Sequence, residues 1–175
     1  VMSKSGKLIG FEVEMMEQPG RNTALRSLLG SIEPNFDYII IDCPPSLSLL
    51  TVNALAAADS MLIPLQCEFY ALEGLGQLLD TYKRIQKRIN PHLDIAGILL
   101  TMFDKRTNLA HQVASEAEKF FHQLIFKTRI PRNVRLGEAP SFGKPILLYD
   151  AMSAGALSYI KLAGEILNGH SDASS

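Results

Sequence analysis

The run Tyr38-Ile39-Ile40-Ile41 is apolar at every position and stops at Asp42. A strand with one wet face alternates apolar and polar residues. An unbroken apolar run suits a strand covered on both faces, as in a parallel sheet. Pro44 and Pro45 end it, because neither can donate to a sheet ladder. Beyond them, strand-like runs over 60–65, 95–103 and 125–130 alternate with stretches of helical periodicity. The spacing predicts helices over 23–32, 49–58, 71–89, 108–124 and 156–167. In the third of these, Leu72, Leu75, Leu79, Tyr82 and Ile89 share one side, and Asn90-Pro91 closes it. Pro131 stops the last strand-like run, and Gly169 is expected to cap the final helix. Residues 1–18 read as polar and then weakly helical. Strands alternating with helices imply an α/β fold, a doubly wound and mostly parallel sheet with right-handed crossovers.

With 175 residues, 47% apolar and 20% charged, the composition excludes wholesale disorder, a collagen-like repeat and a disulfide scaffold. No apolar run reaches the roughly 18–20 residues of a membrane span, and no basic-then-apolar leader opens the chain. Cys43 and Cys67 form no Cys-x-x-Cys pair, which favours a reduced, cytoplasmic setting. The net charge of −1 hides a split: residues 1–82 carry 4 Lys/Arg against 10 Asp/Glu, and residues 83–175 carry 13 against 8. An anionic partner for the second half would explain it, and so would helices whose exposed faces differ in charge.

In open α/β sheets, ligands gather at the carboxyl ends of strands, where Asp42 is expected. Taken alone, such an aspartate is either a magnesium-holding residue of the Walker B kind or a turn cap. The continuation narrows the choice. Phe36-Asp37-Tyr38-Ile39-Ile40-Ile41-Asp42-Cys43-Pro44-Pro45-Ser46-Leu47 and Ile63-Pro64-Leu65-Gln66-Cys67-Glu68-Phe69-Tyr70 are followed by Leu100-Thr101-Met102-Phe103-Asp104-Lys105-Arg106-Thr107-Asn108. Ile130-Pro131-Arg132-Asn133-Val134-Arg135-Leu136 and Gly143-Lys144-Pro145-Ile146 come next. In this order the segments resemble the ParA/Soj chromosome- and plasmid-partitioning ATPases over about 11–167.

That resemblance implies a P-loop NTPase-like fold of the deviant-Walker, ParA/MinD type. It also implies ATP and magnesium as cofactors, an ATP-dependent homodimer, non-specific DNA binding, and regulation by a ParB/Spo0J-type partner. A cytoplasmic, nucleoid-associated protein without membrane attachment follows. Asp42 matches the family's magnesium residue, acting through water, with Pro44 stiffening the turn behind it. Met102, Pro131, Arg132 and Asn133 match the adenine pocket, although Met102 reads equally well as core. Arg106 and Arg135 match the DNA-binding arginines, with a solvated basic face as the alternative.

Two departures shape the expectation. The family's Gly-rich loop cradles phosphate at a helix N-terminus with the help of lysines. Ser5-Gly6-Lys7-Leu8 lacks its upstream glycines, and Gly137 to Lys144 has the wrong glycine spacing with Pro145 behind the lysine. The expectation is therefore a carboxyl-terminal two-thirds truncated at the N-terminus. It would be a single domain over 1–169 with a frayed tail over 170–175, holding no catalytic residue, inactive alone and poorly soluble. In Ala151-Met152-Ser153-Ala154-Gly155, the family commonly has an arginine before the glycine. The rival functions are a MinD-like ATPase and a non-enzymatic remnant that binds DNA or a partner.

Overall fold

The structure, a computed structural model, describes residues 19–44 and 48–168. The opening stretch, Pro45-Ser46-Leu47 and the expected Gly169 cap lie outside the described residues. The chain separates into two compact units, one of residues 1–61 and 80–94, the other of 62–79 and 95–175.

In the first unit, α1 (Ala24–Leu29) and α2 (Leu49–Ala57) are joined through one buried amide. Asn53 receives the backbone N–H of Leu25 at 3.2 Å and donates to the carbonyls of Arg21 and Leu49 at 2.7 and 2.9 Å. α2 is apolar nearly all round and buries Thr51, Asn53, Ala54, Leu55 and Ala56, as a helix without a polar stripe must. α1 stops short of the predicted 23–32, and a 3₁₀ turn at Glu33–Asn35 follows it.

The apolar run over 38–41 does not form the predicted strand. Residues 38–44 carry no regular structure, and Ile40 is 92% exposed. A buried parallel strand needs neighbours to take its N–H and C=O groups, and among the described residues no strand pairs with this run.

The strands β1 (Ser60–Gln66) and β2 (Asp94–Thr101) pair, joined by α3 (Ala71–Arg88). Asp94 N–H donates to Asp59 C=O at one end, and Cys67 N–H to Thr101 C=O at the other. Both numbers rise together, so the pair is parallel, the βαβ unit expected from alternation. Pro64 lies in β1, the edge strand among the described residues, where a missing donor is tolerated. β2 buries four successive residues from Gly97 to Leu100, which accounts for its unbroken apolar run.

In the second unit, α4 (Asn108–Phe121) turns Ala110, Val113, Ala114 and Ala117 inward and ends in a 3₁₀ turn at His122–Leu124. The segment 125–131 runs parallel to β2, bridging at Ile98–Ile125 and Phe103–Pro131. It spends six residues where β2 spends five, so it is not the continuous strand expected over 125–130. Between the bridges, the N–H groups of Lys127 and Thr128 donate to the Glu165 carboxylate, at 2.6 and 3.0 Å, instead of to β2. Glu165 belongs to α7 (Ala154–Leu167), which lies beyond the short helices α5 (Val134–Glu138) and α6 (Ile146–Tyr149). Leu99, Phe126, Ile130 and Leu162 form a core cluster here, with Leu62 and Leu136 against it.

Candidate nucleotide and nucleic-acid site

At the carboxyl end of β2 the chain turns sharply at Met102, whose φ of 53° is left-handed and unusual for a residue with a side chain. Phe103 then bonds across to the neighbouring segment. Its N–H donates to Ile130 C=O at 3.0 Å, and Arg132 N–H returns to Phe103 C=O at 3.0 Å. This exchange sets Met102 and Phe103 beside Pro131 and Arg132, so one strand end holds three of the four expected adenine residues. Asn133, the fourth, caps α5 by accepting the N–H of Arg135 at 2.9 Å.

Phe103 is buried and braced on both sides. The Arg129 guanidinium lies 4.8 Å from its ring centre, and the His111 ring meets it edge-on at 5.3 Å. Arg129 is also paired with Glu118 of α4. The His111 ring is hydrogen-bonded from Nε2 to Lys105 C=O at 3.0 Å. The sequence shows Phe103 inside a longer motif and Arg129 inside a basic stretch, but not the brace that joins them. The signal lies in their separation, since Phe103, His111, Glu118 and Arg129 are scattered over 27 positions and share no motif.

Arg106 is exposed and ion-paired with Asp104 at 2.8 Å. The side-chain hydrogen bonds from Arg106, then its backbone N–H, hold the Asp104 carboxyl well below the usual carboxylate range, with a smaller contribution from Arg132. Folding thus favours the ionised form. The pair acts fully above the ordinary carboxylate pKa near 4 and is lost as pH falls through the depressed value. A carboxyl-carbon NMR titration should show Asp104 titrating below the ordinary aspartate range, and Arg106→Ala should return it toward that range. An Asp104 that titrates normally in the unmodified protein would remove the pair.

Arg135, in α5, lies 2.9 Å from Glu138 and 3.5 Å from Asp150. Hydrogen bonds from Arg135 and Tyr149 lower the Glu138 pKa. In the other unit, Asp42 is exposed and Pro44 half-buried, both on the irregular segment 38–44. Cys67 is buried, and desolvation pushes its thiol pKa up against a smaller opposing effect of Arg129. Among the described residues, no three His, Cys, Asp or Glu side chains gather into a metal-binding group. Nor is any helix among them long and apolar enough to cross a membrane.

Parallel strands joined by crossover helices place the chain in the α/β class, in which ligands gather at the carboxyl ends of the strands. The chain belongs to the AAA domain family, which matches residues 1–95. It is 55% identical over 167 residues to the chromosome partitioning protein ParA of Myxococcus xanthus (strain DK1622), covering 95% of this chain and 59% of that protein. It is 56% identical over 160 residues to the sporulation initiation inhibitor protein Soj of Bacillus subtilis (strain 168), covering 91% of this chain and 63% of that one. Among solved structures, cobyrinic acid a,c-diamide synthase from Mycobacterium smegmatis with bound ADP and magnesium superimposes with a TM-score of 0.76 at 34% identity. That match covers 93% of this chain and 59% of the synthase. The chain therefore spans 59% to 63% of the length of these curated relatives.

These matches correct the expected truncation. The resemblance is not confined to a carboxyl-terminal portion that lacks an amino-terminal region, because the family match starts at residue 1 and the ParA match takes in 95% of the chain. The P-loop NTPase-like, ParA/MinD-type fold stands, and the similarity that carries it extends over nearly the whole chain and is not limited to a carboxyl-terminal part of it. Residues before Phe11 carry no motif of distinctive spacing, so motifs place the start of the resemblance at about residue 11, whereas the family match starts at residue 1.

Proposed function

We propose that the chain belongs to a ParA/Soj-type ATPase of chromosome or plasmid partitioning and that its own residues serve the binding steps of that cycle. In this reading the ATPase is an ATP-dependent dimer that holds nucleoid DNA without sequence preference and is regulated by a ParB-type protein. The observation that carries the reading is the strand-end array of Met102, Arg106, Pro131, Arg132, Asn133 and Arg135. Phe103 bonds across to Ile130 and Arg132 there, and the exposed Arg106 and Arg135 follow shortly in sequence. Similarity to the partitioning proteins over more than nine-tenths of the chain supports it.

Magnesium keeps most of its waters and needs only one or two carboxylates beside nucleotide phosphates. Asp42, a lone exposed carboxylate, fits that demand better than it fits an all-protein cage. Asp42 would hold the ion through water, and the ion would supply charge neutralisation at the phosphates. Pro44 would restrict the turn behind Asp42. Met102 and the backbone of 131–133 would take the adenine. Arg106 and Arg135 would bind DNA phosphates, which give affinity without reading sequence. Every role assigned within these residues is one of binding, and none makes or breaks a bond.

The test is binding of the purified chain, with ATP and magnesium, to a duplex of arbitrary sequence between about 50 and 200 mM salt. Affinity should fall steeply and linearly on logarithmic axes. Arg106→Glu and Arg135→Glu should each lower the slope by about 1 and weaken binding on all sequences alike. Binding that ignores salt, or survives both substitutions in variants that melt like the parent, would sink the proposal.

A further inference from the structure

Every arginine between 104 and 135 already holds a carboxylate. Arg106 meets Asp104 with two prongs, Nε to Oδ1 at 2.9 Å and a terminal nitrogen to Oδ2 at 2.8 Å. Arg132 is 3.6 Å from Glu68, and Arg129 is paired with Glu118 beneath the strand end. Arg135 lies between two carboxylates, Glu138 and Asp150. The Tyr149 hydroxyl donates at 3.1 Å to the same Glu138 oxygen that Arg135 reaches, which holds that carboxylate in place. The arginines of 104–135, the groups best shaped to grip phosphate, are thus neutralised locally.

Resting on the DNA reading above, we infer that Asp104, Glu138 and Asp150 set the affinity of this surface by occupying Arg106 and Arg135 until a phosphate displaces them. A carboxylate offers guanidinium the same pair of oxygens that a phosphate offers, so the two anions compete for one fork. Arg106 and Arg135 are exposed, and ion pairs of that kind are weak and exchange readily. The carboxylates therefore lower affinity without abolishing it. Each also repels an approaching phosphate, which adds in the same direction. Arg129 is not part of this device, since it is half-buried against Phe103 and serves the brace.

The experiment measures duplex binding at fixed salt for the parent chain, Asp104→Asn, Glu138→Gln, Asp150→Asn and Arg135→Glu. Thermal melts exclude variants that fail to fold. Each carboxylate neutralisation should tighten binding by about two- to fivefold, the range set by the strength of an exposed pair. Asp150→Asn supports the Arg135 arm independently of Glu138, whose replacement by Gln leaves a single oxygen to accept from Arg135 and Tyr149. Tighter binding by the neutralised variants together with loss by Arg135→Glu establishes the inference. Unchanged or weaker binding by folded Asp104→Asn and Asp150→Asn, with Arg135→Glu still damaging, overturns it and leaves the DNA reading intact. Arg135→Glu binding like the parent overturns the DNA reading itself.

Discussion

Asn90→Ala is expected to lower the stability of the chain by about 3 kcal/mol, the cost of stranding two buried carbonyls at roughly 1–3 kcal/mol each with partial relief from water. Asn90 is 3% exposed, and its amide nitrogen donates to Leu55 C=O at 3.0 Å and to Ala58 C=O at 2.8 Å. Those carbonyls belong to the last turn of α2 and the residue after it, where helix geometry supplies no intrahelical donor. The backbone of Asn90 is committed as well. Its N–H donates to Ile85 C=O, and its C=O accepts from Leu93 N–H, both at 3.1 Å, as the chain leaves α3. One side chain therefore finishes one helix while its backbone finishes another. Urea unfolding should report the loss as a lower midpoint with an unchanged slope. Asn90→Asp separates volume from hydrogen bonding, because it keeps the shape and replaces both amide donors with an oxygen. An Asp variant as stable as the parent would mean that the donors contribute nothing.

Elements defined by local pattern were legible in the sequence, and those defined by distant partners were not. Helices α2, α3, α4 and α7 and strands β1 and β2 lie within a few residues of expectation, since periodicity and caps such as Thr107 and Ser153 act within a turn or two. The run at 38–41 shows the opposite case. Its composition is that of a buried strand, but composition provides no partner for its backbone. The segment 125–131 is intermediate, taking two bridges to β2 and losing its middle to a glutamate some 37 residues away. The site follows the same division. Met102, Arg106, Pro131, Arg132, Asn133 and Arg135 became candidates through the family resemblance, which rests on runs of consecutive residues. The carboxylates that occupy the arginines were passed over. Asp104 and Glu138 are near enough in sequence to have been found by asking which acid lies within three residues of each arginine. Asp150 becomes a neighbour of Arg135 only through the packing of the short helices.

Gly155→Val should be at least as damaging as Asn90→Ala, at about 3 kcal/mol, the upper part of the usual range for overpacking a filled site. A Cβ at Gly155 would fall 2.6 Å from Leu136 Cγ and 2.9 Å from both of its methyl carbons. Moving the methyls alone would not clear the overlap, because Cγ itself is in the way. Leu136 has little room to withdraw, since it packs against the cluster of Leu99, Phe126, Ile130 and Leu162. Even Gly155→Ala should destabilise. Alanine gains about 1 kcal/mol of helix propensity over glycine in α7, and the clash with Leu136 outweighs that gain. The damage should also reach function, because Leu136 follows Arg135 in the five-residue helix α5. Pushing the leucine displaces the arginine that the DNA reading requires. Folded Gly155→Ala should therefore bind DNA more weakly than its stability loss explains. Leu136→Ala in the Gly155→Ala background should restore part of the stability, the coupling expected of two groups in direct contact. Additive losses in that double-mutant cycle would show that Gly155 and Leu136 do not press on one another, and that α5 is positioned by something else.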